Sequence, residues 1–327
     1  MTEKRQETCF VRSDCQPTPG MKRFSHEAMA TTFEILIVHE DERYARQAAT
    51  AAFNEVDRLE GELSRFLENS DIARINNLPA RQPLQLGLDA FECLRASAQM
   101  YAQTNGAFDV TVGTLVKCWR HEDGSPRTPS PEELARARLH TGVHLLELDK
   151  PEHTIRLSAS PVRVDLGGIG KGYAVDRVAE LLGEWSIETA LISGGYSSVL
   201  AMEAPPGTDG WPLTLSDPAD RTKIVARPRL RAGALSGSGV AKGGHIISPR
   251  TGRPAEGRRA AWASAPDATT GDALSTAFMI MEPDEIEQYC ARHPKVLAMV
   301  ILQEKSDGAP QDTILHFGRW GENVLLT

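Results

Sequence analysis

The chain has 327 residues, of which 41% are hydrophobic and 24% are charged, as is ordinary for a globular protein. Its formal net charge is -8, and its lysines and arginines form no basic cluster with interleaved aromatics, which argues against a nucleic-acid-binding surface. No apolar run approaches the length of a transmembrane helix. The length suits two lobes or one large domain.

The N-terminal segment is polar and lacks the apolar region of a signal peptide or a lipoprotein signal. We therefore expect residues 1–22 to be a disordered leader, residues 23–325 to form a single domain, and the protein to be cytoplasmic. The cysteines are odd in number and include no CxxC pair, so we expect free thiols rather than a disulfide framework. They are Cys9, Cys15, Cys93, Cys118 and Cys290.

Hydrophobic periodicity predicts alternating strands and helices along the rest of the chain. Helices are expected at about 41–63, in a short segment through Ile75 capped by Ser70 or Asp71, and at 87–104, 132–138 and 284–292. Strands are expected within 24–38, 143–157, 211–216, 223–235, 260–268, 296–303 and 313–317.

The stretch 162–182, VRVDLGGIGKGYAVDRVAELL, predicts a strand, a glycine turn and an amphipathic helix. A second strand follows near 188–193, which favours a βαβ unit. A glycine turn at a helix N-terminus presents backbone N–H groups to an anion, and Lys171 adds a full charge there. A phosphate site and a simple tight turn with a solvated lysine are both compatible with this spacing.

The glycine turn fails two known phosphate-binding templates. It lacks the Ser or Thr that follows Gly-Lys in a Walker A loop, and its glycines are spaced G-x-G-x-G rather than G-x-G-x-x-G. An ATPase and a Rossmann dinucleotide fold are therefore disfavoured.

Three further groups of residues have more than one interpretation from spacing alone. Asp272 and Thr276 lie four residues apart on a predicted helix, so they share a face and suit magnesium, or they are a helix cap and a core residue. His245, among glycines, is either a general base or a structural histidine. Phe108 and Asp109 follow a predicted helix stop and favour a strand start with a buried Phe.

Taken together, six segments resemble the ApbE-type flavin transferases (FAD:protein FMN transferases), over roughly residues 24–320. They are residues 29–33, 62–66, 106–113, 165–176, 245–252 and 268–276. The resemblance implies an α+β fold with two intertwined β/α lobes, mixed sheets and an FAD cleft between the lobes.

The same resemblance implies a set of site residues. Met29 and Phe66 would lie against the flavin or adenine, and Ala107, Phe108 and Asp109 would form part of the FAD pocket. Lys171 would approach the phosphates, and His245 would lie near them and activate the acceptor hydroxyl. The Gly168 carbonyl, Asp272 and Thr276 would hold Mg2+.

Several positions depart from the family pattern. Phe66 stands where many members have Tyr, Tyr196 lies in a changed Gly-Gly-Asn segment, and Ser248 replaces an Asp. The Ser-Gly-Ser-Gly-Val segment also lacks an aromatic. Since the metal and phosphate positions are kept, these departures bear on transfer more than on FAD binding.

The resulting hypothesis is a Mg2+-dependent transfer of FMN from FAD to a Thr or Ser hydroxyl of an acceptor protein, with release of AMP. The alternatives are an FAD pyrophosphatase that forms FMN and AMP, and a non-catalytic FAD-binding or carrier protein. The sequence names neither the acceptor nor the oligomeric state.

Overall fold

The computed structural model describes residues 10–15, 20–121, 124–218, 220, 222–240, 246–303, 312–320 and 324–326. Its strands are β1 Val11–Ser13, β2 Met21–Ala28, β3 Thr31–Val38, β4 Leu84–Gln85, β5 Leu146–Asp149, β6 Thr154–Leu157, β7 Ala190–Gly194, β8 Ser198–Ala201, β9 Trp211–Ser216, β10 Ile224–Ala226, β11 Pro228–Leu230, β12 Gly233–Gly239, β13 Arg258–Ala265, β14 Leu297–Gln303, β15 Asp312–Phe317 and β16 Val324–Leu326. Its helices are α1 Glu42–Leu63, α2 Asp71–Asn76, α3 Leu88–Gln103, α4 Gly113–Cys118, α5 Pro131–Leu139, α6 Gly170–Glu184, α7 Ala268–Ala277 and α8 Pro283–Arg292.

The chain divides into two compact units, each assembled from separated segments. The first unit comprises residues 1–57, 171–243 and 257–327, and the second comprises residues 58–170 and 244–256. Neighbouring segments of each unit are therefore brought together by tertiary packing rather than by sequence order.

The first unit contains two antiparallel sheets that share a hydrophobic core. One has the order β1-β9-β11-β16, with β10 also paired to β9, and the other has the order β15-β14-β13-β12-β8-β7-β3-β2. Their facing side chains include Leu213, Trp211, Leu235, Trp262 and Met299, all essentially buried. Burial of such large apolar side chains is the main term that stabilises this unit.

Helices cover the other face of the eight-stranded sheet. α7 packs on β8, β12 and β13, and α8 packs on β14 and β15. Along β12, Ala234 and Ser236 face α7, since a Cβ at Gly271 of that helix would contact both. Within the described residues, no helix is both long and apolar enough to span a membrane.

The second unit contains the small antiparallel sheet β4-β6-β5 and the helices α2 to α5. Ser130 caps α5 in a capping box with Glu133, and Ser70 caps α2 by accepting a hydrogen bond from Ala73 N. A local cluster of Leu115, Cys118, Ala137 and Ile247 is buried within it.

Part of the expected leader is folded. Val11–Ser13 form β1, which pairs antiparallel with β9, and Phe10 and Val11 are buried. Residues 20–22 also lie at a turn and in β2. The expectation of a disordered leader is wrong for these residues, because a three-residue strand is too short to show periodicity. Residues 1–9 and 16–19 lie outside the described part.

The strand expected within 24–38 is a hairpin of β2 and β3. The turn residues Met29 and Ala30 have φ values of 51° and 56°. Two successive positive φ values are typical of a type I′ turn, which joins two antiparallel strands through two residues. These two residues are usually Asn or Gly. The absence of those residues hid the turn in the sequence.

The βαβ unit expected at 162–193 does not form. Val164 exchanges two hydrogen bonds with the Asn76 side chain (2.6 and 3.0 Å), and Asp165 N donates to Val110 O, so 162–164 form no strand ladder. β7 instead pairs antiparallel with β3 and β8. We expected mixed sheets, whereas the described ladders are antiparallel and a parallel pair occurs there only as the bridge Val112–Arg163.

Candidate functional site

The start of α6 and the middle of α7 meet around one buried carboxylate. Asp272 is 2% exposed, and its Oδ2 accepts a hydrogen bond from Gly172 N at 3.0 Å. Lys171 Nζ lies 3.7 Å from the same oxygen, which is a charge contact rather than a hydrogen bond. Lys171 and Asp272, which are 101 positions apart in the sequence, therefore form one charged pair.

Gly172 is the reason that the two helices approach so closely. A Cβ at this position would lie 2.7 Å from the Ala268 carbonyl carbon and 2.8 Å from the Asp272 Cβ. Since α6 begins at Gly170, Lys171 and Gly172 lie in its first turn rather than in the preceding glycine loop. Gly172 thus serves helix packing, whereas the sequence suggested only a turn.

A second carboxylate fastens the N-terminus of α7. Asp176 accepts hydrogen bonds from Ala268 N (2.7 Å), from Thr269 N (2.8 Å) and from the Thr269 hydroxyl. Asp267 caps the same helix by accepting from Thr270 N at 2.7 Å. Burial raises the pKa of Asp176 to about 6, against the hydrogen bonds that lower it. α7 is thereby held by α6 at two successive turns.

Hydroxyl groups of β12 hold the other end of the site. Ser238 Oγ lies 3.2 Å from Thr276 Oγ1 and 2.8 Å from Ser275 Oγ. Asp272 and Thr276 lie one turn apart on α7, as predicted. They offer a carboxylate and a hydroxyl, which are hard oxygen donors of the kind that Mg2+ prefers.

This donor set carries a single formal charge from the protein. Among the residues that the structure describes, no three His, Cys, Asp or Glu side chains lie close enough to hold a metal ion. Protein sites for Mg2+ commonly use one or two carboxylates and are completed by water and substrate phosphates, so Asp272 and Thr276 are residues of the type that could hold this ion.

Met29, also in the first unit, sits in the strained hairpin turn and is half-buried. A non-glycine residue at positive φ costs on the order of 1 kcal/mol, and such residues are enriched at binding sites. Its contact with a flavin stays a prediction.

In the second unit, Phe66 is 76% exposed and held by its neighbour. The Arg65 guanidinium lies over the Phe66 ring at 4.6 Å and also pairs with Asp165 at 3.1 Å. An exposed ring fixed on one face leaves the other face available for stacking. Gly168, three residues beyond Asp165, is half-buried in the turn before α6.

Ala107, Phe108 and Asp109 are all buried in the second unit. Asp109 Oδ1 accepts from Thr111 N (2.7 Å) and from Thr111 Oγ1 (2.6 Å), and Thr111 Oγ1 accepts from Gly142 N. Burial raises the pKa of Asp109, which the Thr111 bonds oppose. This segment forms no strand, so the expected strand start is wrong.

The structure thus unites Lys171, Asp272 and Thr276, and places Met29 in the same unit. Phe66, the Ala107–Asp109 segment and Gly168 belong to the other unit, and His245 lies outside the described residues. Sequence reasoning missed Asp176, Gly172 and Ser238 as supporting residues. Of these three residues, only Asp176 had a usable signal in the sequence, because it is an acidic residue one helical turn after Gly172.

Comparisons with known proteins agree with these features. The model of the ApbE family matches residues 29–301. The FAD:protein FMN transferase of Salmonella typhimurium is 27% identical over 307 residues, which are 89% of this chain and 87% of that protein. The protein of that name from Escherichia coli K12 is 26% identical over 322 residues, covering 91% and 90% of the two chains.

Solved structures show the same architecture. The ApbE protein of Thermotoga maritima superposes with a TM-score of 0.78 at 27% identity, over 90% of this chain and 97% of that one. The flavin transferase ApbE of Vibrio cholerae gives 0.77 at 23% identity over the same shares. The α+β fold class is confirmed. Because the family model spans most of the sequence and solved members share the fold, the chain belongs to the ApbE family.

Proposed function

We propose that the protein is an FAD:protein FMN transferase. It transfers FMN from FAD to a Thr or Ser hydroxyl of an acceptor protein. A phosphoester bond forms between the acceptor oxygen and the FMN phosphorus, the pyrophosphate P–O bond breaks, and AMP leaves with the bridging oxygen. The observation that carries the proposal is the Lys171–Asp272–Thr276 cluster in a chain of this family.

Phosphoryl transfer depends mainly on positioning and on neutralising charge at the phosphates. Asp272 and Thr276 would hold Mg2+, and Mg2+ when bound supplies charge neutralisation at the pyrophosphate. The Gly168 carbonyl is proposed as a further ligand of Mg2+. The N–H of Gly172, four residues later, donates to Asp272. Lys171, fixed beside Asp272, would place its ammonium against a phosphate oxygen.

The remaining assignments rest on the family resemblance. Met29 and Phe66 would contact the flavin or adenine rings, and the Ala107–Asp109 segment would line the FAD pocket. His245 would take the proton of the acceptor hydroxyl, which a histidine with a pKa near neutrality can do. The cytoplasmic location stays a prediction from the N-terminal sequence.

The test is incubation with FAD and Mg2+, with and without an acceptor protein that carries a flavinylation threonine. Fluorescent protein bands report transfer, AMP reports cleavage, and an acceptor with Thr→Val is the control. We expect label and AMP in equal amounts, both dependent on the acceptor. AMP without label would indicate a pyrophosphatase, and bound FAD without either product a carrier; each overturns the proposal.

Two variants test the residue roles in the same assay. Asp272→Ala is expected to abolish labelling at physiological Mg2+, and transfer at the wild-type rate would remove it as a metal ligand. His245→Ala is expected to slow transfer by about 100-fold or more, in the range of general-base catalysis. Full activity of that variant would exclude the proposed base.

A further inference from the structure

We propose that Ser238 is a positioning residue that orients the Thr276 hydroxyl for cation binding. This inference rests on the proposed function, since it concerns the proposed metal ligand Thr276. Its basis is a chain of three hydroxyl groups where β12 meets α7, formed by Ser238, Ser275 and Thr276.

Three contacts are shared among three hydroxyl protons. Ser275 Oγ lies 2.9 Å from the Asp272 carbonyl oxygen, and only the hydroxyl can donate there. Ser275 therefore accepts in its 2.8 Å contact with Ser238, which uses the single Ser238 proton. In the 3.2 Å contact with Thr276, Ser238 can then only accept, so Thr276 donates.

This assignment is the one that satisfies all three contacts at once. It points the Thr276 proton at β12 and leaves the oxygen lone pairs of Thr276 for another partner. A hydroxyl that binds a cation must donate its proton elsewhere, since the lone pair faces the metal. Ser238 supplies that acceptor.

The position of Ser238 is itself fixed from both sides of β12. Ser236 and Ser238 face α7, whereas Gly237 and Gly239 face the core, where a Cβ would meet Phe10 at 2.7 and 2.8 Å. β12 is hydrogen-bonded to β13 along its length and to β8 over its first half. The acceptor oxygen is therefore presented by a rigid strand rather than by a loop.

The variants are Ser238→Ala, which removes the acceptor, and Ser238→Thr, which keeps it. Ser236→Ala is the matched control, because Ser236 lies on the same strand face but bonds to Ser198 at 2.8 Å. Metal binding is measured without turnover, by titrating Mn2+ into FAD-free protein and counting free Mn2+ by electron paramagnetic resonance. The Mg2+ dependence of the transfer rate is measured separately.

We expect Ser238→Ala to weaken Mn2+ binding and to raise the Mg2+ concentration for half-maximal rate by about 10-fold, as for loss of a group that orients a metal ligand. The rate at saturating Mg2+ should change less, and Ser238→Thr and Ser236→Ala should bind Mn2+ like the wild type. Equal Mn2+ affinity of Ser238→Ala and wild type would overturn the inference. So would equal weakening by Ser236→Ala.

A Thr276→Ala arm separates this inference from the proposed function. If Thr276→Ala loses Mn2+ binding while Ser238→Ala does not, the metal site stands and the role of Ser238 is wrong. If Thr276→Ala binds Mn2+ like the wild type, the metal assignment itself fails, and the inference with it.

Discussion

At the scale of single residues, the candidate site depends on residues that allow close packing or accept hydrogen bonds. Gly172 contributes no side chain, yet it allows α6 to touch α7 and frees its N–H for Asp272. Asp176 and Ser238 bind no substrate in the proposed mechanism, yet Asp176 accepts hydrogen bonds from the start of α7 and Ser238 contacts Thr276 of that helix.

Gly172→Ala is expected to destabilise the protein by about 1–3 kcal/mol, because the added methyl overpacks the helix contact. It should also raise the Mg2+ concentration that gives half-maximal activity, since Asp272 must move. Gly183→Ala is the control on the same helix, where a Cβ would meet nothing within 4 Å. That change should stabilise by about 0.5–1 kcal/mol through helix propensity. Urea denaturation of both variants checks this, and equal effects would contradict it.

The raised pKa of Asp176 predicts that the stability of the protein depends on pH. Its folded pKa of about 6 lies above the ordinary value of 3.8, so the folded state binds the proton more tightly. Its stabilising contribution is present below the unfolded pKa and is lost as the pH rises through 6. Relative to Asp176→Asn, the wild-type free energy of unfolding should fall by up to about 3 kcal/mol between pH 4 and pH 7.

Chemical denaturation of both proteins across that range gives the difference directly, because other titrating groups cancel. A constant difference would show that the hydrogen bonds to Asp176 balance its burial, and a difference that grows in favour of the wild type as the pH rises would show that they outweigh it; either result contradicts the prediction.

At the scale of elements, β1 joins the two sheets of the first unit. It pairs with β9, while Phe10 packs against Gly237 and Gly239 of β12. Phe10 N donates to Tyr196 O at 2.8 Å, and Trp262 Nε1 donates to Phe10 O at 3.0 Å. The segment is therefore structural, although the sequence indicated a leader.

Phe10→Ala is expected to destabilise the protein by about 3 kcal/mol, through lost burial and a cavity against β12. Phe66→Ala makes the same change at an exposed ring and should alter the free energy of unfolding by less than about 0.5 kcal/mol. Phe66→Ala should instead weaken FAD binding. Thermal unfolding and FAD titration of both variants test the pair; a stable Phe10→Ala protein would mean that β1 adds little.

At the scale of the whole molecule, each of the two units is built from segments that are far apart in the chain. The described cysteines are buried within these units. Cys15, Cys93, Cys118 and Cys290 are buried and form no disulfide among the described residues, and burial raises the pKa of Cys290 to about 12 and that of Cys15 to about 11. Buried thiols at such pKa values carry little reactive thiolate.

We therefore expect these four thiols to react with iodoacetamide far more slowly in the native protein than in guanidinium. Mass spectrometry of the peptides assigns the label to each cysteine. Rapid native labelling of Cys290 or Cys15 would contradict their burial, and a disulfide-linked pair of peptides would contradict the lack of a disulfide among these four cysteines.

The sequence predicted the long elements well, because their periodicity is local. α1, α3 and α8 lie within a residue or two of the expected bounds, and the Asp272–Thr276 spacing placed both on one helical face. The prediction failed for β1 because that strand is too short to show periodicity. It failed for the Met29–Ala30 turn because the turn lacks the usual residues, and for 162–164 because side-chain hydrogen bonds take the place of a strand ladder.

For this protein, the sequence by itself determined the family and the fold class and predicted the residue types of the candidate site, since six ordered motifs and helical spacing are properties of the chain alone. Only the tertiary structure decided that Lys171 meets Asp272, that Asp176 accepts hydrogen bonds from the start of α7 and that the Ser238 hydroxyl lies beside that of Thr276. Those contacts join residues that are 101, 92 and 38 positions apart in the chain. Their existence depends on which strand faces and helix turns the packing brings together.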